Sequence, residues 1–330
     1  MSICVVYPSG KLGDLIWHIP FFKFIFKKKR SRIILITRKS TRAKALLENE
    51  KYIKKIFYNE FKKDLINYWV EIYFLRKVFI LENVKQIWVF DKNSRPAIAG
   101  RLAGIKNIYG YGGGAQKRWI TNKTHLKASD FKLHYIERAI KFFNLMGHNI
   151  KYTEPKINVS LRRIKKIRKI TQSKKIKKII VYGVDSGEMW KAWDKKNFIR
   201  LINKINENKK NIINVIVSGP WNYKLSENIK NKILKKNTAN FSNLLIEDLA
   251  ALLKISDLYV GNDNGILNLS AAVGTKSIGI FGGTRSLKHS KNFFPVISKK
   301  GEISKENDRL LDPKGRVIKD AKLMQRVKVE

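Results

Sequence analysis

The sequence predicts an α/β protein made of two consecutive Rossmann-like halves. Short apolar runs alternate with longer stretches of helical periodicity, which is the signature of a mainly parallel sheet flanked by helices. That alternation breaks near the middle of the chain and then restarts. The chain has 330 residues, a length at which single hydrophobic cores usually divide.

In the first half, "SICVVY", "RIILIT", "KKIFY", "QIWVF" and "KNIYGY" read as strands. "LIWHIPFFKFIFKK", "TRAKALLENE" and "FKKDLINYWVEIYFLRKVF" read as the helices between them. "DFKLHYIERAIKFFNLMG" follows with apolar spacing near 3.6 and ends at Gly147, a helix with its stop. The segment from His148 to Lys175 interrupts the pattern with Pro155 and a dense basic run. It reads as a connection, or as a solvated helix face, and it lacks the interleaved aromatics of a nucleic-acid platform. In the second half "KKIIVYGV", "NIINVIVSG", "DLYVGN" and "KSIGIFG" are expected strands. "WDKKNFIRLINKINEN", "LSENIKNKILKK", "IEDLAALLKIS" and "NGILNLSAAVG" are expected helices. The expected division is residues 1–155, a basic linker 156–176, and residues 177–330, whose charged tail from about Ser304 forms a closing helix. Ligands of such sheets bind beyond the carboxyl ends of the strands, so two facing sheets put the site in a central cleft between domains.

Composition narrows the function. A hydrophobic share of 44% supports buried sheets and argues against wholesale disorder. The formal net charge of +43 favours anionic partners such as nucleic acid, acidic headgroups or phosphorylated glycans. The single cysteine, Cys4, rules out an intramolecular disulfide and reads as a small buried apolar residue. "LIWHIPFFKFIF" is too short to span a bilayer and contains His18, Pro20 and Lys23. The amino terminus runs straight into a strand, so the expectation is a cytoplasmic protein that touches an acidic membrane surface peripherally.

Three stretches carry candidate chemistry. In "YPSGKLGDLIWHIPFF", Asp14 stands where a strand turns into a helix, either as a cap or as a carboxylate facing the ligand. In "YGVDSGEMWKAWDKKNF", a polar loop leads to Lys191, either one more solvated lysine or a cation for a diphosphate. In "LYVGNDNGILNLSAAVGTKSIGIFGGT", a strand ends at Gly261 and Gly265, expected to let the backbone turn tightly, with Asp263 and Asn264 between them. The helix start that follows suits a phosphate. Other motifs are missing: there is no P-loop, no histidine pair at metal spacing, no D-x-D pair and no G-x-S-x-G elbow. "GYGGGA" matches a relaxed dinucleotide pattern, but no helix is expected after it.

On these three blocks, in this order, the sequence resembles glycosyltransferase family 9, the ADP-heptose–lipopolysaccharide heptosyltransferases. "VFDKNSRPAIAGRLAGIKNIYGY" and "HYIERAIKFFNLMG" add softer likeness. The resemblance implies a GT-B fold, with an acceptor-binding amino-terminal domain and a nucleotide-sugar-binding carboxyl-terminal domain. It implies inverting, metal-independent transfer with no cofactor, from a nucleotide-sugar donor to an anionic lipid-linked glycan. It places Asp14 at the catalytic base and Lys191 at the donor phosphate. Gly13, Ser186, Asp263, Asn264, Gly265 and Asn268 join the donor set, and Ser9, Lys11 and Arg95 the acceptor set. The chain departs from the family's D-T-G pattern and its following histidine, carrying Asn264 and Asn268 at those positions. Asparagine can hydrogen-bond a phosphate but carries no positive charge. Two rival readings are a GT-B protein that binds without turnover, and a nucleic-acid-binding protein suggested by charge alone. No specific nucleic-acid partner is expected.

Overall fold

The computed structural model describes residues 2–61, 64–171, 178–209, 211–234, 237–286, 289–297, 316 and 318–329. The chain divides into two units, Met1–Pro155 and Lys156–Glu330.

In unit 1, β1 (Ser2–Val6), α1 (Leu12–Lys29), β2 (Ile33–Thr37), α2 (Ala43–Leu47) and β3 (Ile53–Tyr58) follow in turn. Then come α3 (Leu65–Leu81), β4 (Val84–Val89), α4 (Arg95–Leu102), β5 (Asn107–Gly110) and α5 (Tyr135–Leu145). The strands form one parallel sheet in the order β3-β2-β1-β4-β5. Its central strands are buried on both faces, which is why they read as unbroken apolar runs. On one face Cys4, Val6, Ile34 and Ile87 pack with Leu75 and Phe79 of α3 and Ala97 of α4. An aromatic cluster links β4 to α1 and α5, with Trp88 stacked on Phe143 at 5.3 Å and Phe21 on Phe143 at 5.5 Å. Gly147 sits at φ 73°, just past α5, as the expected helix stop.

In unit 2, α6 (Leu161–Thr171), β6 (Lys178–Gly183), α7 (Lys195–Asn208), β7 (Ile212–Val217) and α8 (Tyr223–Lys230) come first. They are followed by β8 (Thr238–Asn240), α9 (Ile246–Ile255), β9 (Leu258–Asn262) and α10 (Gly265–Val273). Last are β10 (Ser277–Phe281), β11 (Phe293–Ile297) and the short α11 (Lys322–Gln325). The parallel sheet order is β11-β10-β9-β6-β7-β8. Tyr182, Ile216 and Val260 of the strands pack with Phe198 and Ile202 of α7. Among the described residues no helix is long and apolar enough to cross a membrane.

Several local expectations are corrected. The basic stretch expected as a linker contributes α6 to unit 2. Ile167 and Thr171 are buried, and Arg163 and Lys166 reach the buried Asp248 of α9 at 2.8 and 2.6 Å. Burial raises the cost of ionising Asp248, yet these two cations hold its carboxyl below the usual range. The expected helix over "LSENIKNKILKK" is shorter, ending at Lys230. The helix α4 and the edge strands β8 and β11 were not expected, because each is too short or too polar for a clear period. Of the tail, residues 301–315 lie outside the described residues, and only α11 is a helix beyond them.

Candidate active site

The order of strands brings distant loops together. In unit 2 the order reverses between β9 and β6, and the loops leaving such a switch point are drawn apart enough to admit a ligand. β6 leads to the loop that carries Asp185, Ser186 and Lys191, while β9 leads to Asp263, Asn264 and α10. Asn262, fully buried at the end of β9, stitches the two. Its Nδ2 donates to the carbonyls of Val184 (3.0 Å) and Asp185 (3.2 Å), and its Oδ1 accepts from the Trp193 N–H at 2.9 Å. Gly183 and Gly261 are needed for close approach rather than for a turn. A Cβ at Gly183 would lie 1.8 Å from the Tyr259 hydroxyl, and one at Gly261 would lie 2.7 Å from the Gly183 carbonyl. This corrects the expectation that Gly261 and Gly265 supply a tight turn: neither has positive φ, and Gly265 simply opens α10.

On this frame the Lys191 ammonium lies 2.8 Å from Asp263 Oδ2, and the Thr284 hydroxyl donates to the same oxygen at 2.9 Å. Asn264 caps α10: its Oδ1 accepts from the N–H groups of Ile266 and Leu267, both at 3.0 Å. Its Nδ2 donates to the Asp185 carbonyl at 2.9 Å. The threonine usual at this position in the family could cap as well, so the departure to Asn264 keeps the helix start intact. Asn268, one turn on and nearly buried, donates to the Asn264 carbonyl at 3.0 Å. The Ser186 hydroxyl accepts from the Glu188 N–H at 3.4 Å. Asp185 turns its carboxylate the other way, accepting from the Gly219 N–H at 2.7 Å. Burial pushes its pKa up, although that hydrogen bond and the one from Asn222 act in the opposite sense. The arrangement sets a cation and a helix N-terminus together, a combination that receives anions.

Unit 1 has its own switch point between β1 and β4. The loop after β1 carries Ser9 and Lys11 into α1. Lys11, exposed, takes the N-cap position without a capping side chain, and Gly13 and Asp14 are buried in the first turn. Asp14 is therefore not the N-cap residue. The Ser9 hydroxyl donates to Asp14 Oδ2 at 2.9 Å and so orients the carboxylate. Below it, His18 Nδ1 donates to the Asp14 carbonyl at 2.7 Å, while its Nε2 finds no partner among the described residues. Burial among Tyr7, Phe22 and Phe90 pushes the pKa of His18 down to about 3. Arg95, expected at the acceptor, has its partners within unit 1. Its guanidinium pairs with the buried Glu71 of α3 and lies over the Tyr68 ring at 5.6 Å, tying α4 to α3. Its charge is paired with Glu71 within unit 1, as that of Lys191 is paired with Asp263 in unit 2.

The sequence reading missed Asn262, Asp185 and Thr284 as organisers of the site. All three lie inside the blocks already singled out, and the available signal was a polar residue at the end of an apolar strand or within three residues beyond it. Among the described residues, no three His, Cys, Asp or Glu cluster as metal ligands.

The model of glycosyltransferase family 9 (heptosyltransferase) matches residues 90–310. The chain belongs to glycosyltransferase family 9. The matched span contains the Lys191 and Asp263 loops of this glycosyltransferase and leaves Asp14 outside it. Its structure is similar to that of Escherichia coli ADP-heptose LPS heptosyltransferase II, at 14% identity, TM-score 0.74, and coverage of 99% of this chain and 97% of the other. A family 9 glycosyltransferase from Veillonella parvula matches at 15% identity and TM-score 0.76, covering 89% of this chain and 85% of that one. E. coli heptosyltransferase WaaC with ADP-2-deoxy-2-fluoro heptose matches at 14% identity and TM-score 0.66, covering 90% and 93%. These likenesses establish a GT-B fold. No curated protein sequence matches the glycosyltransferase.

Proposed function

We propose that this glycosyltransferase moves a heptose-type sugar from an ADP-linked donor to lipopolysaccharide core or a related cell-envelope glycan, with inversion and without a metal ion. The observation that carries the proposal is the Lys191–Asp263 pair at the start of α10. A donor diphosphate replaces Asp263 as the partner of Lys191, and Thr284 keeps Asp263 in place as the lysine turns to the phosphate. Lys191 and the N-terminus of α10 then answer the charge that builds on the leaving diphosphate. Ser186, Gly265 and Asn268 border the same loops and complete the donor set. The likeness to the E. coli ADP-heptose LPS heptosyltransferase supports the choice of donor and acceptor.

In unit 1, Asp14 acts as the base, with Ser9 orienting it and Lys11 beside it for an anionic acceptor. The acceptor oxygen attacks the anomeric carbon as its proton passes to the Asp14 carboxylate. The bond from that carbon to the phosphate oxygen breaks, and the nucleoside diphosphate leaves. One displacement inverts the anomeric centre and needs no carboxylate nucleophile. The test is transfer from ADP-heptose to a heptose-deficient core acceptor, with and without excess chelator. Asp14→Asn should lower turnover by about 10²–10⁴-fold while leaving ADP-heptose affinity unchanged. Turnover near that of the unaltered enzyme would return Asp14 to a structural role, and loss of transfer on chelation, restored by magnesium, would overturn the metal-independent reading.

A further inference from the structure

We infer that the outer face of α3 docks on an anionic lipid bilayer. The helix has 17 residues and so runs about 25 Å. Its inner face buries Ile72, Leu75, Val78 and Phe79 against unit 1. Its outer face is also apolar. Leu65, Ile66, Trp69, Tyr73, Ile80 and Leu81 are each between 50% and 84% exposed, and their spacing puts them on one side of the helix. Exposed large apolar residues scattered singly are ordinary, but a stripe along a whole helix marks an interaction surface. Trp and Tyr are the side chains that settle at the headgroup level of a bilayer, with an apolar body and a polar edge.

Charge selects the occupant. The other exposed side chains on this face of α3 include Arg76 and Lys77 and no acid within the helix. Of the neighbouring acids, two are neutralised by cations and one stays exposed and charged at the start of the helix. Asp64 caps the helix through Asn67, Glu71 is buried against Arg95, and Glu82 is held by Lys54 and Lys55 at 3.0 and 2.6 Å. An anionic surface therefore meets apolar side chains and the cations Arg76 and Lys77, with Asp64 at one end of the helix as the single exposed acid beside it. A second copy of the chain is disfavoured on the same ground. A two-fold contact through α3 would bring together two copies of a chain of net charge +43, each adding Arg76 and Lys77 to the same contact. The inference does not depend on the identity of the donor, so either can fail alone.

The experiment is co-sedimentation of the full chain with vesicles of phosphatidylcholine containing about one-third phosphatidylglycerol. A strongly basic protein binds such vesicles at low salt by charge alone, so the decisive measurement is at about 0.5 M salt, where that attraction is screened. There the unaltered protein should remain vesicle-bound. The triple variant Ile66→Gln/Trp69→Gln/Tyr73→Gln should lose at least about tenfold in partitioning, with its melting temperature unchanged because these side chains are exposed. A second, conservative variant guards against misfolding. Trp69→Phe should keep vesicle binding and lose most of the fluorescence quenching by lipids brominated along the acyl chain. Equal partitioning of the triple variant and the unaltered protein would overturn the inference. So would quenching that survives Trp69→Phe, or α3-dependent dimerisation at high salt without vesicle uptake.

Discussion

At the scale of single residues, the site is set by small polar groups with two tasks each. Asn268 is the sharpest departure from the family, and its amide is turned back on the Asn264 carbonyl at 3.0 Å in a nearly buried position. A histidine there would lose that bond and bring a bulkier ring, so Asn268→His is expected not to raise turnover with ADP-heptose. A charged hydrogen bond to phosphate is worth about 1.5–3 kcal/mol, or roughly tenfold or more in affinity. A gain of that size in steady-state kinetics would mean that the enzyme is an ordinary heptosyltransferase lacking one contact. His18 makes a separate, pH-dependent prediction. In the folded chain its pKa is about 3, against 6.5 when exposed, because burial disfavours the charged form. Between these values the unfolded chain binds a proton that the folded chain does not. Its stabilising effect is therefore complete above pH 6.5 and is lost as the pH falls towards 3, by up to about 1.4 kcal/mol per pH unit. His18→Asn keeps a donor for the Asp14 carbonyl and should flatten this slope in urea unfolding of unit 1. An unaltered slope would assign the acid sensitivity to other groups.

At the scale of elements, α10 shows how a helix start serves both fold and site. The Asn264 amide satisfies two N–H groups of the first turn and holds the loop after β6 through the Asp185 carbonyl. Asn264→Thr restores the residue usual in the family and keeps a capping oxygen, so its stability should stay within about 0.5 kcal/mol of the parent. Asn264→Ala removes all three bonds and should cost about 1–2 kcal/mol, read from thermal or urea unfolding of unit 2. Equal stability of the alanine and threonine variants would show that the cap seen here does not hold in solution. The helix α6 teaches a related lesson. Its composition reads as a basic linker, yet Ile167 and two cations aimed at Asp248 make it part of unit 2. A buried acid partner lies some 80 residues away in sequence, at a separation of 82 for Lys166, and local composition carries no sign of it.

At the scale of the whole molecule, the net charge of +43 bears on encounter rather than on chemistry. If the acceptor is an anionic glycan, its capture is helped by this field and weakened by salt. Raising ionic strength from about 0.05 to 0.5 M should raise the KM for the acceptor by roughly tenfold and leave kcat little changed. A salt-independent KM would mean that the acceptor is held by neutral contacts and that the charge serves another purpose.

The sequence by itself determined the fold class, two parallel sheets with helices between them, because unbroken apolar runs and 3.6-residue spacing are local patterns imposed by burial. It also singled out the three blocks that carry the candidate residues, since strand-to-helix turns carry their polar residues in a few consecutive positions. Only the tertiary structure decided who meets whom. Lys191 finds Asp263 at a separation of 72 residues because β6 and β9 are neighbours at the point where the strand order reverses. The Asn264 amide reaches the Asp185 carbonyl 79 residues away, and Arg95 pairs with Glu71, for the same reason. Such pairings depend on strand order and helix packing, and these follow from the burial of the whole chain, not from any window within it.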